Sequence, residues 1–161
     1  MIKKTQKKII KTGIQIFILI LACVFVCFRP IFITKVVGVS MEPNFHANSI
    51  VFANSLDRNF QVGDVVVIDQ DSEFIIKRVA YTSGQKLVCA DLGERKFSPM
   101  PALPDVDREI QTLAKYGIHA FVLEIPKEYV YVLGDNEGES EDSRTFGPVP
   151  IKNIKAKIIG R

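Results

Sequence analysis

The sequence predicts a mostly β protein, with a single N-terminal transmembrane helix followed by an antiparallel, barrel-like β-sheet domain that carries one short helix. Three observations lead there. An uncharged apolar run fills residues 12–28; after Pro30 the pattern changes to short runs rich in β-branched and aromatic residues; and clusters of Gly, Asn, Asp and Ser separate those runs. The chain has 161 residues, and setting aside a membrane segment of roughly 20 residues leaves enough for one modest domain with one core.

The first element is the apolar run, bracketed by Lys11 and Arg29, whose long side chains can reach the headgroups. At a few tenths of a kcal/mol per Leu, Ile, Phe or Val, about a dozen such residues favour insertion by roughly 3 to 6 kcal/mol, more than one glutamine and one glycine oppose it. A cleaved signal peptide would need small residues at its cleavage site. The stretch Arg29-Pro30-Ile31-Phe32-Ile33-Thr34-Lys35 offers bulky and charged ones, so an uncleaved anchor over 12–30 is expected. Lys3, Lys4, Lys7, Lys8 and Lys11 precede it, against Arg29 and Lys35 after it. That asymmetry puts residues 1–11 in the cytoplasm and the domain at 31–161 outside the cell membrane, a single-pass topology. The formal charge is only +3 and is crowded into the N-terminus, which argues for a lipid bilayer and against nucleic acid as a partner.

Strands are expected at 31–37, 50–53, 64–68, 73–81, 86–90, 119–124, 129–133 and 154–159, with turns at 54–55, 62–64, 69–71, 83–84, 91–93 and 134–143. Ser98-Pro99-Met100-Pro101-Ala102-Leu103-Pro104 reads as an extended loop. Asp105 or Asp107 can then cap a short helix through Tyr116, with Gly117 as its stop. Cys23 and Cys27 lie in the apolar run and Cys89 stands alone, so no disulfide is expected within the domain. His46 and His119 lack the companions a metal site requires, and no metal or cofactor is called for.

Chemistry is suggested by Val39-Ser40-Met41-Glu42-Pro43-Asn44, a lone hydroxyl between apolar neighbours shortly after the anchor. Read as a nucleophile, Ser40 needs a base, an orienter for that base and an oxyanion site. His46, His119, a carboxylate or a lysine could be the base, and Lys77 is the best candidate. It sits in Phe74-Ile75-Ile76-Lys77-Arg78-Val79, where apolar neighbours would desolvate the ammonium and lower its pKa, and a neutral amine can take a serine proton.

Downstream lies Gly134-Asp135-Asn136-Glu137-Gly138-Glu139-Ser140-Glu141-Asp142-Ser143-Arg144-Thr145-Phe146-Gly147. Together with Ser40-Met41-Glu42-Pro43 and Lys77-Arg78-Val79, in that order, it resembles the bacterial type I signal peptidases, a family of Ser-Lys dyad serine proteases. The resemblance runs from the anchor to about Val149. It implies an endopeptidase that removes signal peptides from exported preproteins after small residues of the Ala-x-Ala type, with Ser40 as nucleophile and Lys77 as general base. Ser140 would orient the lysine amine, and Asp142 with Arg144 would form a scaffolding ion pair beside the site. Met41 and Pro43 would shape the turn presenting the hydroxyl, and Gly134-Asp135-Asn136 a packed turn. An extended substrate can add to a strand edge, and the apolar residues beside the pair, Val36, Met41, Phe45, Ile75 and Ile76, are candidate linings of its side-chain pockets.

Several positions depart from the family pattern. Asn44 replaces the common threonine and is expected to be tolerated, because it too can cap or hydrogen-bond the local backbone. Glu137 stands where arginine often follows Gly-Asp-Asn, in a loop made acidic by Glu139 and Glu141. Gly38 stands where some members place a serine that adds a hydroxyl to the oxyanion hole, so the Ser40 backbone N–H would carry more of that role. Two other readings compete. Self-cleaving repressors share the Ser-Lys dyad, but the anchor and the absence of an Ala-Gly dipeptide count against them. A signal-peptidase-like factor dedicated to processing or assembly of one surface protein, such as a pilin, is the alternative.

Overall fold

The computed structural model describes residues 2–28, 31–70, 72–91, 97–101 and 105–160. Arg29 and Pro30, parts of the turns expected at 69–71 and 91–93, and the end of the proline-rich segment at 102–104 lie outside the described residues. So do the side chains of the lysines at 3–8 and of Cys27.

The chain opens with helix α1 (Ile2–Phe28), 27 residues long, about 40 Å at 1.5 Å per residue. Among the described residues no helix is long and apolar enough to cross a membrane. The side chains of α1 that are described run from Lys11 to Phe25, fewer than the roughly 20 a crossing takes. All of them are exposed, Phe17 and Leu19 at 64% and 71%.

The domain is built on strands β1 (Ile31–Lys35), β2 (Ile50–Asn54), β3 (Val65–Gln70), β4 (Glu73–Thr82), β5 (Lys86–Asp91), β6 (Phe97–Pro101), β7 (Ala120–Glu124), β8 (Tyr129–Leu133), β9 (Val149–Pro150) and β10 (Ile154–Ile158). Helix α2 (Val106–Lys115) and the single turn α3 (Ser143–Phe146) complete it. All described strand pairs are antiparallel. Seven strands form one sheet in the order β1-β2-β10-β3-β4-β8-β9, and three form a smaller sheet, β6-β5-β7.

Burial on both faces of β3 explains its uninterrupted Val65-Val66-Val67-Ile68 run. Val65 and Val67 join Val36, Met41, Phe45 and the β2 and β10 residues in one cluster. Val66 and Ile68 point the other way, against Val79, Val130, Val132 and Ile154. A third cluster, with Leu87, Cys89, Ile125 and Tyr131, joins the two sheets. Burial of this kind contributes about 1.5 to 3 kcal/mol per large aliphatic side chain.

The eight expected strands all form, with ends shifted by up to two residues. The first stops at Lys35, although Val36 still exchanges hydrogen bonds with Ser49 and Asn48, both at 2.8 Å. The loop expected from Ser98 is in part a strand, β6. Proline is tolerated there because β6 lies at an edge, and Pro99 and Pro101, two residues apart, both lose their N–H on the same side of the strand. Helix α2 is capped as expected: the Asp105 carboxylate accepts from the Arg108 N–H at 3.1 Å, and Gly117, at φ +75°, follows the C-cap.

Candidate active site

Ser40 sits on the turn that leaves β1. Gly38 opens it at φ +81°, a left-handed conformation that disfavours any residue with a Cβ. The Glu42 N–H donates to the Val39 carbonyl at 3.1 Å and the Phe45 N–H to the Met41 carbonyl at 2.9 Å, closing one helical turn. Met41 and Phe45 therefore lie on one face of that turn, and both are buried in the core beneath it. They hold the loop that presents Ser40.

Lys77 comes from β4, where the register sets it opposite Val66. Its side chain is buried, with 4% exposed, and Nζ donates to Ser40 Oγ at 2.9 Å across 37 residues of sequence. Burial pushes the ammonium below its ordinary value of 10.5; Asp142 opposes this, Arg144 assists it and Glu141 opposes it. Desolvation wins because the charge has left water while Asp142, the carboxylate with the larger opposing effect, is itself paired with Arg144.

The segment at 134–136 closes over the serine turn. The Asn136 N–H donates to the Ser40 carbonyl at 3.0 Å, and its side-chain amide to the Val39 carbonyl at 3.2 Å. Asp135 takes a bidentate pair from Arg78, Nε to Oδ1 at 2.7 Å and Nη2 to Oδ2 at 2.6 Å, the fork geometry of strong guanidinium–carboxylate contacts. Asn44 Nδ2 donates to the same carboxylate at 3.0 Å, so Asn44 ties the serine turn to Asp135 rather than to its local backbone. Burial alone would raise the Asp135 pKa, but Arg78 and Asn44 outweigh it and hold the carboxyl below the usual range.

Asp142 is fully buried and bonded on every side. It accepts from Arg144 Nε at 2.9 Å and Nη2 at 2.8 Å, from the Arg144 N–H at 3.1 Å and from the Gly134 N–H at 2.9 Å. Arg144 also donates to the Glu137 carbonyl at 3.0 Å. Burial pushes the Asp142 pKa up, and these donors pull it below the usual range. The pair pins both ends of the loop from Gly134 to Arg144.

Ser140 lies on that loop, with its Oγ packed against Gly134. A Cβ on Gly134 would fall 2.1 Å from Ser140 Oγ and 2.6 Å from the Ser40 carbonyl oxygen. Ser140 Oγ is near enough to Asp142 to favour its ionised form. The buried hydroxyl has no hydrogen-bond partner among the described residues.

Beside the pair runs a groove of about 180 Å³ between β1 and β4, lined by Thr34, Val37, Phe74, Ile75 and Ile76 with Ser40 and Lys77 among its walls. β1 ends the sheet, and β8 pairs with β4 only from Arg78 onward, so residues 73–77 have an open edge there. Of the five expected pocket residues, Ile75 and Ile76 line this groove. Val36, Met41 and Phe45 do not, because they fill the core. Asn136 and Gly134 were readable from sequence only as parts of a packed turn; their contacts with Ser40 span more than 90 residues and leave no local signal.

The fold and site are those of an antiparallel β-domain that sets a serine hydroxyl against a buried lysine amine. The chain belongs to the signal peptidase family, peptidase S26, whose model matches residues 8–161. It is 32% identical over 127 residues to the mitochondrial inner membrane protease subunit 1 of Homo sapiens, covering 75% of this chain and 63% of that protein. The chain thus spans about three fifths of the length of that relative. It is 30% identical over 136 residues to signal peptidase I V of Bacillus subtilis (strain 168), covering 77% of this chain and 81% of that one. A crystal structure of a signal peptidase I from Enterococcus faecalis V583 aligns with a TM-score of 0.40 at 19% identity, over 63% of this chain and 97% of the other.

Proposed function

We propose that the protein is a membrane-anchored serine endopeptidase that removes N-terminal signal peptides from exported preproteins after small residues of the Ala-x-Ala type. The observation that carries this reading is the 2.9 Å contact between Lys77 Nζ and Ser40 Oγ, made by a lysine whose burial lowers its pKa.

Neutral Lys77 takes the Oγ proton as the oxygen bonds to the scissile carbonyl carbon. The carbonyl electrons move onto oxygen, where the Ser40 N–H meets the charge; among the described residues that N–H has no acceptor of its own. Collapse restores the C=O and breaks the C–N bond, and the Lys77 ammonium gives its proton to the departing amine. Water, deprotonated by the same lysine, then cleaves the ester and returns the Ser40 hydroxyl. The buried hydroxyl of Ser140, without a hydrogen-bond partner among the described residues, is available to orient the amine through this cycle, while Asp142 and Arg144 keep its loop in place.

The substrate enters extended between the open edges of β1 and β4, its side chains alternating between the groove walls. Helix α1 anchors the protein with its N-terminus in the cytoplasm and the domain outside. The apolar side chains described on the helix, Ile14 to Phe25, are all exposed, which supports that role. Tethering raises the effective concentration of membrane-held precursors at the site. The test is precursor processing in membranes: Ser40→Ala, Lys77→Ala and Lys77→Arg should each abolish cleavage with insertion and expression intact, the last because a guanidinium is not deprotonated. Normal processing by any of them refutes the dyad.

A further inference from the structure

We infer that Asn136 is a positioning residue for the oxyanion donor: its side-chain amide holds the peptide plane whose N–H belongs to Ser40. The inference rests on the peptidase reading above. The Val39 carbonyl and the Ser40 N–H are the two ends of one peptide unit, and in a trans peptide they point in opposite directions. Whatever grips the carbonyl aims the N–H. Asn136 Nδ2 grips it at 3.2 Å, and the Glu42 N–H, from within the turn, at 3.1 Å. The next peptide plane is held too, because the Asn136 backbone N–H donates to the Ser40 carbonyl at 3.0 Å. Both planes flanking the nucleophile are therefore fixed by one residue.

Of the two anchors on the Val39 carbonyl, the Glu42 N–H belongs to the same turn and moves with it. Asn136 belongs to the segment clamped to β4 through Asp135 and Arg78 and to the loop pinned by Asp142 through Gly134. Its side chain thus references the donor's direction to the strand that carries the base. The arrangement matters more here because Gly38 has no side chain to add a second donor, and its backbone is left-handed at φ +81°. The Ser40 N–H has no acceptor among the described residues, so the aimed donor is free for the oxyanion.

The variants are Asn136→Asp, which keeps the shape but sets an acceptor against the Val39 carbonyl, and Asn136→Ala. Both keep the backbone bond to Ser40. Losing an oxyanion donor outright costs about 10²- to 10³-fold in kcat. Here the Glu42 bond remains, and a drop of roughly 10- to 100-fold in kcat is expected on a peptide bearing an Ala-x-Ala site. KM should stay within about twofold, and in Asn136→Ala, which adds no charge near Lys77, the acid limb of the pH profile should not move, since the donor acts on the transition state and not on the base. The inhibition constant of a peptide boronate, which forms a tetrahedral adduct on Ser40, should rise by the same factor. Unchanged kcat in both variants overturns the inference. So does a loss that appears in KM, or one accompanied in Asn136→Ala by a shifted pH limb, which would mean the site has been loosened as a whole. A wild-type protein that does not cleave, or a Ser40→Ala variant that does, instead overturns the peptidase reading, and this inference falls with it.

Discussion

Gly134→Ala should disable the site through one methyl group. The new Cβ would lie 2.1 Å from Ser140 Oγ, 2.5 Å from Ser140 Cβ and 2.6 Å from the Ser40 carbonyl oxygen. Rotating the Ser140 hydroxyl away relieves only the first contact. Reaching an ordinary separation of about 3.4 Å requires the Ser40 carbonyl to retreat by about 0.8 Å and Ser140 Cβ by about 0.9 Å. Gly134 does not occupy the left-handed region, so the cost is crowding and not backbone strain. Overpacking of this size costs about 2 kcal/mol, on the order of 6 °C in Tm for a domain of this size. The catalytic cost is larger, because a displacement near 1 Å at the reacting centre can remove about 10²-fold in rate, and the Ser40–Lys77 contact starts at 2.9 Å. Cleavage of a signal-peptide-like substrate, measured as kcat/KM well below the melting transition, should fall by about that factor. Ser140→Gly in the same chain removes two of the three clashes and should restore part of the stability. Wild-type kcat/KM in Gly134→Ala, or a loss no greater than the fraction unfolded, would refute the reasoning.

Two further outcomes follow from the same geometry. Burial lowers the Lys77 pKa from 10.5, and only the neutral amine is a base. The rate of cleavage should therefore rise with pH through the lowered pKa and fall on its acid side; a flat profile down to about pH 5 contradicts a lysine base. The unfolded lysine holds its proton up to about 10.5 while the folded one releases it earlier, so the contribution of Lys77 to stability increases with pH between those two values. Ser140→Ala should slow cleavage without abolishing it and should not markedly lower Tm, because the hydroxyl it removes is buried without a hydrogen-bond partner among the described residues and such a group costs about 1 to 3 kcal/mol, which offsets its small favourable effect on Asp142. Complete loss of activity, or a marked fall in Tm, would show that Ser140 does something else.

The strands were legible because this domain obeys simple patterning. Val65 to Ile68, and Tyr129 to Leu133, are short apolar runs whose length and β-branched or aromatic content mark a buried strand. Strand β6 was hidden by its own prolines, which mark a loop unless the strand is known to lie at an edge, and edge position is a property of the assembled sheet. Strand β9 is two residues long and has no pattern to read. At the site, the ordered motifs pointed to Ser40 and Lys77 as partners, and they lie 2.9 Å apart. Asn44 was expected to be tolerated on its capacity for local bonds, and its side chain in fact reaches Asp135, a partner 91 residues away. Val36, Met41 and Phe45 were expected as pocket walls because they neighbour Ser40 in sequence. A tight turn buries its apolar side chains beneath the hydroxyl it displays, so neighbours along the chain become the floor of the site.

The position of β10 in the sheet has a consequence for biogenesis. Ser40 follows β1 and Lys77 lies on β4, yet β2 and β3 do not pair with each other; β10 stands between them, bonded to both. The two halves of the site are thus bridged by residues 154–158. A nascent chain that already contains both the serine and the lysine still lacks the strand that sets them in register. On the proposed function, proteolytic competence should therefore appear only once residues 154–158 have joined the sheet.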